Sequence, residues 1–139
     1  MRPFHLALPV NNLARAVSFY HNTLGFTLGR SSERWQDLNF FGHQVVLHLD
    51  ENHNPRGAHA RNVVDGHGVP VPHFGLVMAM PQWTTFRDRL LAEGVHFEIE
   101  PCIRFRGLPG EQATMFFFDP SGNALEFKAM ANEANLFAT

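Results

Sequence analysis

Thr114–Lys128, TMFFFDPSGNALEFK, decides how this chain is read. Met115–Phe118 is an apolar run. Asp119-Pro120-Ser121-Gly122-Asn123 collects residues that break strands and close turns, because Pro fixes φ and Gly accepts positive φ. Ala124–Lys128 alternates: Leu125 and Phe127 share one face, Ala124, Glu126 and Lys128 the other. The stretch therefore predicts a strand, a tight turn and a second strand. Glu126 becomes a carboxylate in mid-strand with an apolar face behind it. Such a group needs a cation, a hydrogen-bond network or a metal. Lys128 or an arginine is the plain structural partner.

Working outward, the same grammar occurs twice. Phe4–Val10 reads as a strand, Asn11 or Asn12 as a helix cap, and Leu13–Leu24 as a helix closed by Gly25. Phe26–Ser31, Arg34–Phe41 and Gln44–Leu49 read as three further strands. His73–Met80 is again a strand, followed by a helix through Trp83, Phe86, Leu90 and Leu91 that Gly94 closes. His96–Ile99, Gln112–Phe118 and Ala124–Lys128 complete a second β-α-β-β-β unit. Asp50–Pro72, with His53, His59 and His67, shows no periodicity and reads as a long loop. Pro101–Gly110 reads as irregular, and the tail from Ala129 as a short helix or frayed chain. The expected organisation is one α+β domain over 1–139, with module one about 4–50, a loop at 51–72 and module two about 73–130.

The repeat also matches polar residues. His5 opens the first unit and His73, 68 positions later, opens the second. His48 lies in the last strand of unit one and Glu126 in the last strand of unit two. Small residues stand two steps away on the same face: Ala7 beside His5, Gly75 beside His73 and Ala124 beside Glu126. Taken singly, each histidine reads more readily as a hydrogen-bonded core or edge histidine. Recurrence at matching positions points instead to a metal site of His5, His73 and Glu126. Nitrogen and oxygen donors without thiolate suit one divalent ion such as Fe2+, Mn2+, Ni2+, Zn2+ or Co2+. His48 is open between a fourth ligand and a catalytic acid or base, with Asp50 placed to orient it. Arg104 and Arg106 are candidate contacts to an anionic substrate, with a solvated loop as the alternative. Trp35 and Phe40 or Phe41 are candidate cavity walls, although a Phe in a strand is more often core.

Composition bounds the rest. The chain has 139 residues, 45% hydrophobic and 17% charged, and a formal net charge of -2. That length supports a buried core, and that charge argues against nucleic acid as a partner. The single cysteine, Cys102, excludes an internal disulfide and is read as a small apolar residue. No stretch reads as a signal peptide or a membrane span. The expectation is a cytoplasmic protein with no membrane partner.

On FYHNTLGF, DPSGNALEF and the positions of His5, His73 and Glu126, the chain resembles the vicinal oxygen chelate superfamily. That group includes glyoxalase I, type I extradiol dioxygenases, and fosfomycin and bleomycin resistance proteins. The resemblance covers Phe4–Met130. It implies paired βαβββ modules forming cupped mixed sheets around a metal cleft, with His5, His73 and Glu126 as ligands. It implies bidentate chelation of a small oxygenated substrate, with the metal as Lewis acid and template. It also implies a homodimer, sometimes with ligands from both chains. In the glyoxalase I type, the position of His48 resembles that of a ligand glutamate that also serves as base, so its identity here departs from that type. The reading leans to extradiol-dioxygenase-like chemistry. A glyoxalase I-type lyase or isomerase and a non-enzymatic small-molecule binding or resistance protein are the alternatives.

Overall fold

The computed structural model describes residues 1–54, 60–64 and 66–139. His59 lies outside the described residues. The elements are β1 (His5–Val10), α1 (Leu13–Ser18), a π-helical turn (Phe19–Thr23), β2 (Thr27–Ser31), β3 (Trp35–Phe40), β4 (His43–Leu49), β5 (Ala60–Val64), β6 (His67–Val71), β7 (Phe74–Val77), α2 (Met80–Ala92), β8 (Phe97–Arg104), β9 (Gln112–Phe118), β10 (Ala124–Met130) and a 3-10 turn (Glu133–Asn135). They form two compact units, Met1–Gly57 with Asp119–Asn123, and Ala58–Phe118 with Ala124–Thr139. The fold class is α+β.

Unit one holds a sheet in the order β1-β4-β3-β2, with β1 parallel to β4. Asn12 caps α1, its side chain accepting from Arg15 N at 2.9 Å. The apolar face carries Leu8, Val10, Leu38, Phe40, Val45 and Leu47, all buried with Ala16, Tyr20, Leu24 and Phe26. Phe40 is thus core, packed 4.8 Å from the Phe26 ring, and Phe41 occupies the β3–β4 turn with φ 52.

The Asp119–Asn123 turn belongs to this unit. Asp119 is buried, and its carboxylate accepts from Tyr20 Oη (2.8 Å), Ser121 N (2.9 Å), Asn123 N (2.9 Å) and Asn123 Nδ2 (2.8 Å). Asn123 Nδ2 also donates to Pro9 O at 2.9 Å, and Asn11 N donates to Ser121 Oγ at 3.1 Å. A buried carboxylate with this many donors is satisfied as an anion. The DPSGN motif is therefore a structural device.

Unit two holds a sheet in the order β7-β10-β9-β8, with β7 parallel to β10. This is the same strand order as in unit one, first, last, third, second. Phe117 and Phe127 stack at 5.8 Å, and Phe86 of α2 meets Phe127 at 4.8 Å. Trp83 Nε1 donates to Phe127 O at 2.8 Å.

Three sequence expectations change here. Residues 51–72 are not loop throughout, because β5 and β6 pair as an antiparallel hairpin in which Val64 faces His67. The Val-Val-Asp-Gly-His run carries the signal: Asp-Gly between β-branched strands favours a two-residue hairpin, and Gly66 has φ 80. Pro101–Gly110 is not irregular throughout, because β8 continues to Arg104. A bulge lets the strand absorb Pro101, which otherwise argues against a strand interior. The tail contributes Ala129 and Met130 to β10 before its 3-10 turn.

Tyr20 generates a prediction. Its phenol is held well above the ordinary value of 10.0, by burial first and then by the charge and hydrogen bond of Asp119. Because the folded value is raised, this contribution to stability is complete below the unfolded value and is lost as pH rises beyond it. Stability should then fall by about 1.4 kcal/mol per pH unit above about pH 10. Tyr20→Phe should remove this alkaline slope and lower stability by about 1–2 kcal/mol at neutral pH. Urea unfolding of both proteins across that range is the measurement.

Candidate metal centre

Strand pairing places the residues of this site. In β10, Glu126 lies opposite Phe116 of β9 and Gly75 of β7. A Cβ built on Gly75 would overlap the Glu126 backbone carbonyl. Gly75, read from the sequence as the small neighbour of His73, has its side-chain position taken by the strand backbone of β10. The close approach brings His73, one residue before β7, to the Glu126 side chain.

Glu126 is 8% exposed, and its two oxygens have different surroundings. Oε1 accepts from Thr114 Oγ1 at 2.7 Å. Oε2 lies 3.3 Å from His73 Nε2. His73 Nδ1 is 2.6 Å from Pro70 O. A carbonyl only accepts, so Nδ1 carries the proton and donates. In the neutral ring Nε2 then presents a lone pair to a carboxylate oxygen. Two acceptors then face each other, and either a proton on Nε2 or a cation held by both resolves the conflict. A ring nitrogen and a carboxylate oxygen, each with its second polar atom tied to a backbone or hydroxyl partner, is a donor set that fits a divalent ion. The pair lines a cleft of ≈ 200 Å³ with Gly75, Val77 and Lys128. The His73 ring meets Phe116 edge-on at 5.0 Å, which limits its rotation.

His5 stands in unit one, exposed on β1. Its Nδ1 lies 2.7 Å from Gln44 Oε1, so it too donates through Nδ1 and keeps Nε2 open. Among the described residues, no three His, Cys, Asp or Glu side chains form a group that could hold a metal. The His73–Glu126 pair is what the structure assembles of the expected set.

His48 is not the register equivalent of Glu126. His5 pairs with Gln44, whereas the register of β7 with β10 sets His73 against Ala124. Counted from those histidines, Val46 matches Glu126 and His48 matches Lys128. His48 lies exposed beside Pro9 and Trp35. At about 3.3 Å per residue it stands roughly 13 Å along the sheet from His5, too far to share one ion with it. The Asp50 carboxylate, expected to orient His48, turns to its own loop instead and accepts from Asn52 N at 3.1 Å.

The two arginines are not brought together. Arg104 is 3% exposed and donates through Nη2 to Val64 O at 2.7 Å. Its Nη1 lies 4.0 Å from Glu126 Oε1, so the plain expectation of an arginine facing this carboxylate is met in part. Arg106 is exposed and lines a different groove of ≈ 410 Å³ with Trp83, Arg87, Pro101, Cys102 and Ile103. Thr114 went unassigned from the sequence. The signal was there: one hydroxyl leading an apolar run, diagonal to Glu126 across the turn.

Two substitutions test this geometry. Thr114→Val keeps the shape and removes the hydroxyl donor, so metal affinity should drop about 10–100-fold while the fold is kept; calorimetric titration with Mn2+ reads it. Gly75→Ala should push β7 from β10 and cost about 2–4 kcal/mol; thermal unfolding together with the same titration reads both losses.

Comparison with known proteins agrees with this architecture. The family model for the Glyoxalase/Bleomycin resistance protein/Dioxygenase superfamily matches residues 2–127. A glutathione transferase FosA from Serratia marcescens is 28% identical over 96% of this chain and 84% of its own length. The crystal structure of a glyoxalase/bleomycin resistance protein/dioxygenase from Alicyclobacillus acidocaldarius superposes with a TM-score of 0.82 at 31% identity, covering 98% of this chain and 96% of that one. A mutant of the fosfomycin resistance protein FosX from Listeria monocytogenes, complexed with Mn(II) and 1S,2S-dihydroxypropylphosphonic acid, shares the fold at 17% identity, with a TM-score of 0.68 over 96% and 93% of the two chains. Two β-α-β-β-β units with one strand order, and this match along nearly the whole sequence, lead to one conclusion: the chain belongs to the glyoxalase/bleomycin resistance protein/dioxygenase superfamily.

Proposed function

We propose that this protein is a divalent-metal-dependent enzyme that modifies a small oxygenated molecule, with His5, His73 and Glu126 holding the ion. The observation that carries the proposal is the pair of facing acceptors, His73 Nε2 and Glu126 Oε2, 3.3 Å apart. When bound, the ion supplies a Lewis acid and a template for two vicinal oxygens of the substrate. The chain's own residues do the rest. Thr114 fixes the free turn of the Glu126 carboxylate, so that Oε2 is presented. Pro70 and Gln44 fix the tautomers of His73 and His5. His48, at the far end of the same sheet face as His5, exchanges a proton with the distal end of a bound substrate.

Two reactions suit this frame. Addition of a nucleophile to a small molecule, as in resistance by modification, is supported by likeness to the FosA glutathione transferase along 96% of the chain. Oxygen-dependent ring cleavage is supported by the donor set, since two histidines and one carboxylate with open positions is what non-haem Fe(II) oxygenases use. The working unit is a homodimer.

Metal analysis of the purified protein is the first test: wild type should carry about one ion per chain, and His73→Ala or Glu126→Ala should reduce that at least about tenfold. Wild-type protein that takes up no divalent ion would sink the proposal. With Mn2+ or Fe2+ loaded, glutathione consumption with an electrophilic small molecule supports group transfer, and oxygen uptake with catechols supports ring cleavage. Light scattering on the eluting protein should give twice the chain mass.

A further inference from the structure

We propose that Arg104 is a positioning residue, tying the β5–β6 hairpin to Glu126 so that the carboxylate keeps Oε2 turned towards the ion; this rests on the metal reading above. A guanidinium that is 3% exposed must be held by acceptors or an anion, because burying its charge alone is costly. Arg104 has two such partners. Nη2 donates to Val64 O, at the end of β5, and Nη1 faces Glu126 Oε1 at 4.0 Å. Nε has no hydrogen-bond partner among the described residues. The side chain is therefore kept in place by the hairpin on one side and the carboxylate on the other.

The register explains how it comes to be there. The bulge between Ile99 and Cys102 sets Cys102 opposite Thr114 and Arg104 opposite Gln112. This puts Arg104 on the face of the sheet that carries Thr114 and Glu126. The hairpin docks on that face too, since Val69 of β6 packs with Ile99 and Phe116.

A two-stranded ribbon is marginal by itself, and Val63 is 82% exposed. Among the described residues, besides the buried Val69 and Pro70, the hairpin is tied by Arg61 Nη1 with Glu98 Oε1 (2.7 Å), Pro70 O with His73 Nδ1 (2.6 Å) and Val64 O with Arg104 Nη2 (2.7 Å). Two of these ties are carbonyls, one from each strand, and they end on residues that face Glu126. A shift of the hairpin would thus loosen the acceptor that sets the His73 tautomer and the cation that flanks Oε1 together. Thr114 makes the hydrogen bond to Oε1, and Arg104 adds its charge beyond hydrogen-bond reach.

The test uses the full chain with Arg104→Met and Arg104→Lys. In metal-free protein, hydrogen exchange of the amides in β5 and β6 should be at least about tenfold faster in Arg104→Met than in wild type, and intermediate in Arg104→Lys. Mn2+ should bind about tenfold or more weakly to Arg104→Met, with partial recovery in Arg104→Lys. Unchanged hairpin exchange in both variants overturns the proposal. So does faster exchange with Mn2+ affinity equal to or tighter than wild type, because the arginine would then only repel the ion. If wild type itself binds no Mn2+, the metal reading fails, and the exchange data still decide whether Arg104 holds the hairpin. Arg104→Lys retains the charge, so it keeps the experiment decisive should Arg104→Met fail to fold.

Discussion

The parallel pairing of β7 with β10 across Gly75 and Glu126 is the constraint on which the candidate site depends. The backbones approach so closely there that no side chain fits at position 75. That approach sets the start of β7, and with it His73, against the Glu126 carboxylate. Everything chemically notable in unit two follows from it: the facing acceptors, the cleft beside them and the need for a positive charge between them.

A buried carboxylate is costly, so the surrounding sequence is arranged to receive one. Thr114 supplies the hydrogen bond, Arg104 the nearby charge and His73 a lone pair that only a cation or proton can reconcile with Oε2. Asp119 is buried as well, and it is handled differently. Four donors satisfy it, and it has no open side left for chemistry. The contrast separates a structural acid from a functional one: both are buried, but of the two only Glu126 has an oxygen turned towards another acceptor.

The internal repeat is equally instructive where it breaks. Both units run through the same elements in the same order, and in each the strand-opening histidine donates through Nδ1 to a carbonyl oxygen. The partners differ, Gln44 in one and Pro70 in the other, because only unit two carries the β5–β6 hairpin beside its histidine. The last strands are offset by two residues against the first, so similarity of the VLHL and ALEF segments does not make His48 the counterpart of Glu126. A shift of two keeps a side chain on its face but moves it about 6–7 Å along the strand, enough to separate two would-be ligands.

The sequence by itself determined the two β-α-β-β-β units, the cap at the start of the first helix and the choice of Glu126, His73 and His5 as residues of interest. Those are readable because alternation, helical spacing and turn chemistry are local, and a carboxylate behind an apolar strand face is conspicuous within a few residues. Only the tertiary structure decided the hairpin within 51–72, the continuation of β8 through Pro101 to Arg104, the part played by Thr114 and the offset of His48. The hairpin had a local signal in its Asp-Gly pair that went unread; the others depend on register between separate strands. A bulge or a two-residue slip leaves no mark on the composition of either strand, yet it decides which side chains meet.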